Sequence, residues 1–149
     1  NEKLFEDKTC ILMTGEETQE SSLRLCEGLW QILGSKISLL DLKDHDSLLA
    51  LTSHLPHLIS FSLISTLAEL KLESNKIFSG GGLKDFTRIA SSDVKMWKDI
   101  FSNNSENISD AIDKFIEKIT IFKNYIIEKD SESIENFIEN AKNFRDENL

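Results

Sequence analysis

Asp44-His45-Asp46-Ser47-Leu48-Leu49-Ala50-Leu51-Thr52-Ser53-His54-Leu55-Pro56-His57-Leu58-Ile59-Ser60-Phe61-Ser62-Leu63-Ile64-Ser65-Thr66-Leu67-Ala68-Glu69-Leu70 is where this chain changes character. From Asp44 onward its pattern is wholly helical. Leu48, Leu49, Leu51, Leu55, Leu58, Ile59, Phe61, Leu63, Ile64 and Leu67 put apolar side chains on most faces of one long helix, which predicts a central, buried element. Pro56 has no N–H to donate, so the helix should kink there and leave the carbonyl near Thr52 without its partner. Thr52, Ser53 and Ser60 carry hydroxyls positioned to help satisfy backbone groups around that kink.

Upstream the period is different. Thr9–Met13 is a short apolar run ended by Thr14-Gly15, a strand followed by a turn. Thr14 with Glu17 offers a capping box, and Leu23, Cys26, Leu29, Trp30 and Leu33 recur at helical spacing up to Gly34, a C-terminal cap. Residues 36–42 read as a second strand. Such a β-α-β unit cannot close a core alone and reads as a piece of a parallel α/β sheet.

Downstream, Asp85 is expected to cap a short helix through Ile89, and Ser92 or Asp93 opens the next, with Met96, Trp97, Ile100 and Phe101 on one side. Ser102-Asn103-Asn104-Ser105 interrupts it. Ile108, Ala111, Ile112, Phe115, Ile119, Phe122 and Ile126 then stripe a longer helix. Ser131 starts the last one, with Ile134, Phe137, Ile138, Ala141 and Phe144. So many apolar stripes on so short a region suggest a helical dimer interface.

The chain has 149 residues, 40% of them hydrophobic and 29% charged, with a net charge of −9. That length can bury one real core. No stripe of Lys and Arg tracks phosphates, and the acidic balance disfavours nucleic acid and anionic membrane surfaces. No uninterrupted apolar run approaches a membrane span. Cys10 and Cys26 lack metal or redox spacing and fall on apolar positions, as reduced core thiols would, which points to a cytoplasmic protein.

Two groups of residues invite a chemical reading. Gly80-Gly81-Gly82 gives the backbone freedom to reach positive φ and to pass close to a ligand, and successive N–H groups there can nest an anion. Six residues after Gly82 stands Arg88, one of three arginines beside fourteen lysines; its planar fork suits a carboxylate. Asp85, three residues earlier, could orient it by an ion pair. His54 and His57 share a helical face, but no third ligand at suitable spacing supports a metal. His45 falls on a loop.

Taken in order, Ser53-His54-Leu55-Pro56-His57, Gly80-Gly81-Gly82-Leu83-Lys84-Asp85-Phe86-Thr87-Arg88-Ile89-Ala90 and Met96-Trp97-Lys98-Asp99-Ile100-Phe101 resemble the C-terminal half of the prephenate/arogenate dehydrogenase family of tyrosine biosynthesis. The resemblance runs from about Thr9 to about Phe122. It implies a mainly α fold: an all-helical substrate and dimerisation domain at 44–149, like the C-terminal domain of 6-phosphogluconate dehydrogenase, preceded at 1–43 by a residual β-α-β from a Rossmann-type nucleotide-binding domain. Leu83 departs from the aromatic residue common in the family, and Ser91-Ser92-Asp93-Val94 lacks a proline often found after the Asp.

The resemblance implies an oxidative decarboxylation of prephenate or arogenate with NAD or NADP, in a cytoplasmic homodimer that needs no metal, nucleic acid or membrane. None of the six glycines spells the G-x-G-x-x-G fingerprint, and the one proline, Pro56, is not in the family's His-Pro pair. The chain begins at Asn1 without an initiator Met. It is therefore expected to be part of a longer enzyme, holding no catalytic residue and inactive by itself. By resemblance Arg88 holds a substrate carboxylate, His57 lines the pocket, and Gly81 and Gly82 bring their backbone to it. His54, Asp85 and Trp97 are supporting residues. The competing reading is a non-catalytic helical dimer module that binds an aromatic acid such as tyrosine.

Overall fold

The computed structural model describes residues 3–69 and 80–149. β1 (Thr9–Thr14), α1 (Glu20–Ile32) and β2 (Lys36–Asp41) form a β-α-β unit whose two strands lie side by side and parallel, Thr9 opposite Lys36 through Thr14 opposite Asp41. Every described element after them is helical: α2 (Leu42–Leu49), a π-turn at Ala50–His54, α3 (Leu55–Glu69), α4 (Gly81–Thr87), a 3-10 turn (Arg88–Ser91), α5 (Val94–Asn103), α6 (Ser105–Glu128) and α7 (Ser131–Asn148). The expected mainly α architecture with a small parallel β-α-β is what the chain forms.

Local chemistry sets the boundaries. Gly34 sits at φ +87°, the left-handed position that ends α1, and a Cβ there would lie 3.2 Å from the Cα of Glu6. The Asp41, Asp93 and Asp130 carboxylates accept from the backbone N–H groups of Asp44, Met96 and Ser133, capping α2, α5 and α7. The last helix starts at Ser131, as expected, with Asp130 as its cap. The Thr14–Glu17 box does not form: Gly15 N–H donates to Thr18 Oγ1 at 2.9 Å, and α1 begins only at Glu20.

The Pro56 distortion is real and takes a specific form. Leu55 N–H reaches back five residues to the Ala50 carbonyl, widening the ladder into a π-turn just before the proline. The hydroxyls behave differently from the expectation. Thr52 Oγ1 donates to the Leu48 carbonyl at 2.9 Å, whereas Ser60 Oγ leaves its own helix and donates to the Phe86 carbonyl at 3.3 Å. Ser60 is fully buried, so it ties α4 onto α3.

The core is narrow. Ala50, Leu55, Ile108 and Ala111 are buried together, with Leu58, Ile59, Phe101, Ile112 and Phe115 packed around them. The long helix is central, yet Leu48, Leu51 and Ile64 on it are exposed, which corrects the expectation of burial on most faces. By length and composition Leu42–Glu69 is also apolar enough to cross a membrane. Cys10 is half-buried and Cys26 exposed; both are free thiols, and Cys26 is no core residue. Exposed Ile116, Ile119, Ile126 and Ile127 on α6, with Ile138 and Phe144 on α7, leave the helical layer with apolar faces that the other described residues do not cover. Leu70 and Ser79 of the sequence reading lie outside the described residues.

Candidate functional site

Trp97 is the hub. Its ring is 5% exposed, and four other rings surround it. His57 stacks on it with centroids 3.8 Å apart and planes at 25°. His54 meets it edge-on at 6.0 Å, Phe61 at 6.1 Å, and Phe101 leans against it at 5.4 Å. His54, the last residue of the π-turn, and His57 on α3 stand three residues apart on one helical face and so meet the same indole.

The two histidines hold opposite tautomers. His57 Nδ1 donates to the Ser53 carbonyl at 2.9 Å, so the neutral ring keeps a bare lone pair on Nε2. His54 is buried and its Nδ1 accepts from Asn104 Nδ2 at 3.3 Å. The Asn104 orientation is fixed independently, because the same NH2 donates to the Asp46 carbonyl at 2.7 Å while Oδ1 accepts from Asn107 Nδ2 at 2.7 Å. The proton of neutral His54 therefore sits on Nε2.

Desolvation holds the His54 imidazole below its ordinary pKa; the Asp46 carboxylate opposes the shift, and His45 and His57 add to it. Protonation would also set Nδ1–H against the Asn104 amide, donor to donor. The sign follows from linkage. The unfolded chain takes up this proton first, so the His54 contribution is complete above about pH 6.5 and is lost as pH falls through the lower folded value. The melting temperature should accordingly drop on acidification from pH 7 to 5, and His54→Gln should shrink that slope. A level wild-type profile over this range would contradict the assignment.

Arg88 opens the 3-10 turn, exposed, and among the described residues its guanidinium has no hydrogen bond or ion pair. Asp85 is exposed on α4 and does not pair with it, so the expected local ion pair is not made. Gly81 and Gly82 form the first turn of α4, with Gly80 as its N-cap at φ −74°. No glycine of the triplet has positive φ, so the nest geometry expected from the sequence is absent, and the helix begins four residues before Asp85. A Cβ at any of the three would meet nothing within 4 Å. Among the described residues nothing requires glycine there.

The structure thus gathers His54, His57 and Trp97 into one cluster and places Gly81, Gly82, Asp85 and Arg88 on a neighbouring segment. Contact between the two runs through α3, which packs against both α4 and the 3-10 turn. Ser60, one turn after His57, binds the carbonyl of Phe86, two residues before Arg88. A cavity of about 370 Å³ beside the indole is lined by Phe61, Ala90, Ser92, Val94, Trp97, Lys98 and Phe101. A larger one of about 570 Å³ includes His45, Asp46, Ser53, His54, Asp99 and Asn104. Neither lining includes His57 or Arg88. Among the described residues no group of three or more His, Cys, Asp or Glu side chains could hold a metal ion.

Sequence reasoning missed Asn104, Phe61 and Phe101. Asn104 was visible only as part of a helix break, and its partners Asp46 and His54 are 58 and 50 residues away. No local signal reports such a pairing.

Residues 41–142 match the family described as prephenate dehydrogenase, dimerization domain. The chain is 31% identical over 147 residues to a prephenate dehydrogenase of Bacillus subtilis, covering 97% of this chain and 40% of that protein. It is 31% identical over 144 residues to a cyclohexadienyl dehydrogenase of Zymomonas mobilis, covering 94% and 49%. Among solved structures, a prephenate dehydrogenase from A. aeolicus in complex with hydroxyphenyl propionate and NAD+ superposes with a TM-score of 0.90 at 34% identity, over 97% of this chain and 51% of that one. The chain spans about half the length or less of the relatives it matches.

Proposed function

The chain belongs to the prephenate dehydrogenase family, and on that premise we propose that it supplies the substrate-facing helical part and the two-fold interface of a cytoplasmic enzyme that oxidatively decarboxylates prephenate or arogenate in tyrosine biosynthesis. The observation that carries the reading is the Arg88 guanidinium. It is exposed, has no partner among the described residues, and stands on a turn packed against the helix that presents His57. An always-charged fork with no partner among the described residues, on a turn packed against the helix that carries His57, suits an aromatic acid: the fork takes a carboxylate, and the aromatic wall around Trp97 takes the ring.

In this reading Arg88 clamps the carboxylate and His57 contacts the substrate, while the open backbone at Gly81 and Gly82 lets the ligand or a second copy approach. His54, held neutral, and Trp97 fix the position of His57; Asp85 is a supporting residue of the same segment. The uncovered apolar faces of α6 and α7 support a homodimer.

None of the described glycines spells the G-x-G-x-x-G turn that holds a pyrophosphate, so these residues are assigned no part in holding NAD or NADP. What they contribute is orientation and charge placement. An inactive dimer module binding tyrosine would use the same carboxylate clamp.

Calorimetric titration of the chain with 4-hydroxyphenylpyruvate, the product expected of the reaction, tests the reading. Saturable binding supports it. No heat with this acid, or binding of tyrosine in its place, would overturn the substrate assignment.

A further inference from the structure

Asn104 stands where α5 ends and α6 begins, and its backbone serves both helices. Its N–H donates to the Ile100 carbonyl at 3.1 Å, and its carbonyl accepts from the Ile108 N–H at 3.1 Å. An asparagine at a helix start ordinarily turns its side chain onto a backbone N–H of the same helix. Asn104 forgoes that bond. Its amide instead donates to His54 Nδ1 at 3.3 Å and to the Asp46 carbonyl at 2.7 Å, 50 and 58 residues away, while Asn107 Nδ2 holds its Oδ1 at 2.7 Å. Asn104 and His54 are both buried. The needs of the helix start do not explain where this side chain goes.

An imidazole has two broad orientations about its second side-chain torsion. In the flipped ring a C–H would face the Asn104 amide, and Nδ1 would lose its donor. The amide therefore selects one orientation and one tautomer. Two contacts pass that selection to His57. The carbonyl of the peptide joining Ser53 to His54 accepts from His57 Nδ1 at 2.9 Å. The Trp97 indole meets the His54 ring edge-on at 6.0 Å and carries the His57 ring stacked on it at 3.8 Å. We propose that Asn104 is a positioning residue of this aromatic cluster: by pinning the His54 ring and its Nε2–H tautomer, it fixes the peptide and the indole that hold His57. Its effect on binding rests on the substrate reading above, whereas the pinning is a property of the free chain.

Nitrogen-15 NMR of the histidine-labelled chain at about pH 8, where imidazoles are neutral, reads the tautomer. We expect wild-type His54 to be protonated on Nε2 alone. Asn104→Asp presents only acceptors, so it should move the proton to Nδ1. The His57 ring protons, shifted upfield by the indole, should lose part of that shift. Calorimetry with 4-hydroxyphenylpyruvate should find the variant weaker by about 3- to 10-fold, the range for one side chain that must be ordered on binding. In a His54→Gln background the same substitution should change affinity by less than about twofold, because its route to the site is gone. Should Asn104→Asp fail to fold, Asn104→Ser keeps a residue suited to start α6 but lacks the reach to His54, and both tautomers should then appear. Wild-type His54 protonated on Nδ1, His57 shifts and affinity unchanged in a folded variant, or an equal loss with and without His54 each overturn the inference. If the acid does not bind the wild type, the substrate reading falls, and the two NMR signatures decide the positioning role by themselves.

Discussion

Arg88→Ala should weaken binding of an aromatic acid by about 2–5 kcal/mol, roughly 30-fold to several thousand-fold in Kd, the range for removing one partner of a hydrogen-bonded charge pair. The fold should hardly notice. Arg88 is exposed and makes no hydrogen bond or ion pair among the described residues, and such surface changes stay within about 0.5 kcal/mol of stability. The two effects therefore separate, which is the mark of a binding residue. A solvated guanidinium places the loss toward the lower end of that range in the chain alone; burial by ligand or by a second copy would raise it. Arg88→Lys keeps the charge and loses the fork, so it should recover only part of the affinity. Equal Kd values for wild type and Arg88→Ala would remove the clamp from the mechanism. A parallel fall in melting temperature would make the arginine structural instead.

How much of this was legible beforehand follows from the range of the interactions involved. The strands, Gly34, Asp93 and the helix breaks are set by residues within four positions of one another, and the sequence shows them. Pro56 announced a distortion, but whether the ladder kinks or widens into a π-turn depends on what packs around it. Ser60 illustrates the gap: its hydroxyl suited a local repair, and the structure sends it to Phe86, 26 residues away. The anion nest expected at the glycine triplet does not form because three glycines permit positive φ without requiring it; here they open a helix. The expected burial of Cys26 and of most faces of the long helix failed for a shared reason. Periodicity shows which faces are apolar, not whether the same chain covers them. For the site, the cluster of His54, His57 and Trp97 joins helical neighbours to a residue 40 positions on, and only the family resemblance had linked them.

Trp97 is the position where stability is most concentrated. Trp97→Ala should destabilise the fold by about 3–5 kcal/mol, since it leaves a cavity among His54, His57, Phe61 and Phe101 in a protein with few other buried side chains. Trp97→Phe is the sharper experiment. The indole Nε1 is buried and has no hydrogen-bond partner among the described residues, and an unsatisfied buried donor costs about 1–3 kcal/mol. Phenylalanine keeps an aromatic face for His57 and deletes that donor, so the relief offsets the volume lost. We expect urea unfolding, followed by far-ultraviolet circular dichroism, to put the Phe variant within about 1 kcal/mol of wild type and far above the Ala variant. If Phe instead falls as far as Ala, the indole N–H has a partner in solution, and its isolation is not a property of the folded chain. The comparison also bears on binding. With stability preserved, any loss of ligand affinity in Trp97→Phe reports on the surface that holds the His57 ring, because the Arg88 clamp is untouched.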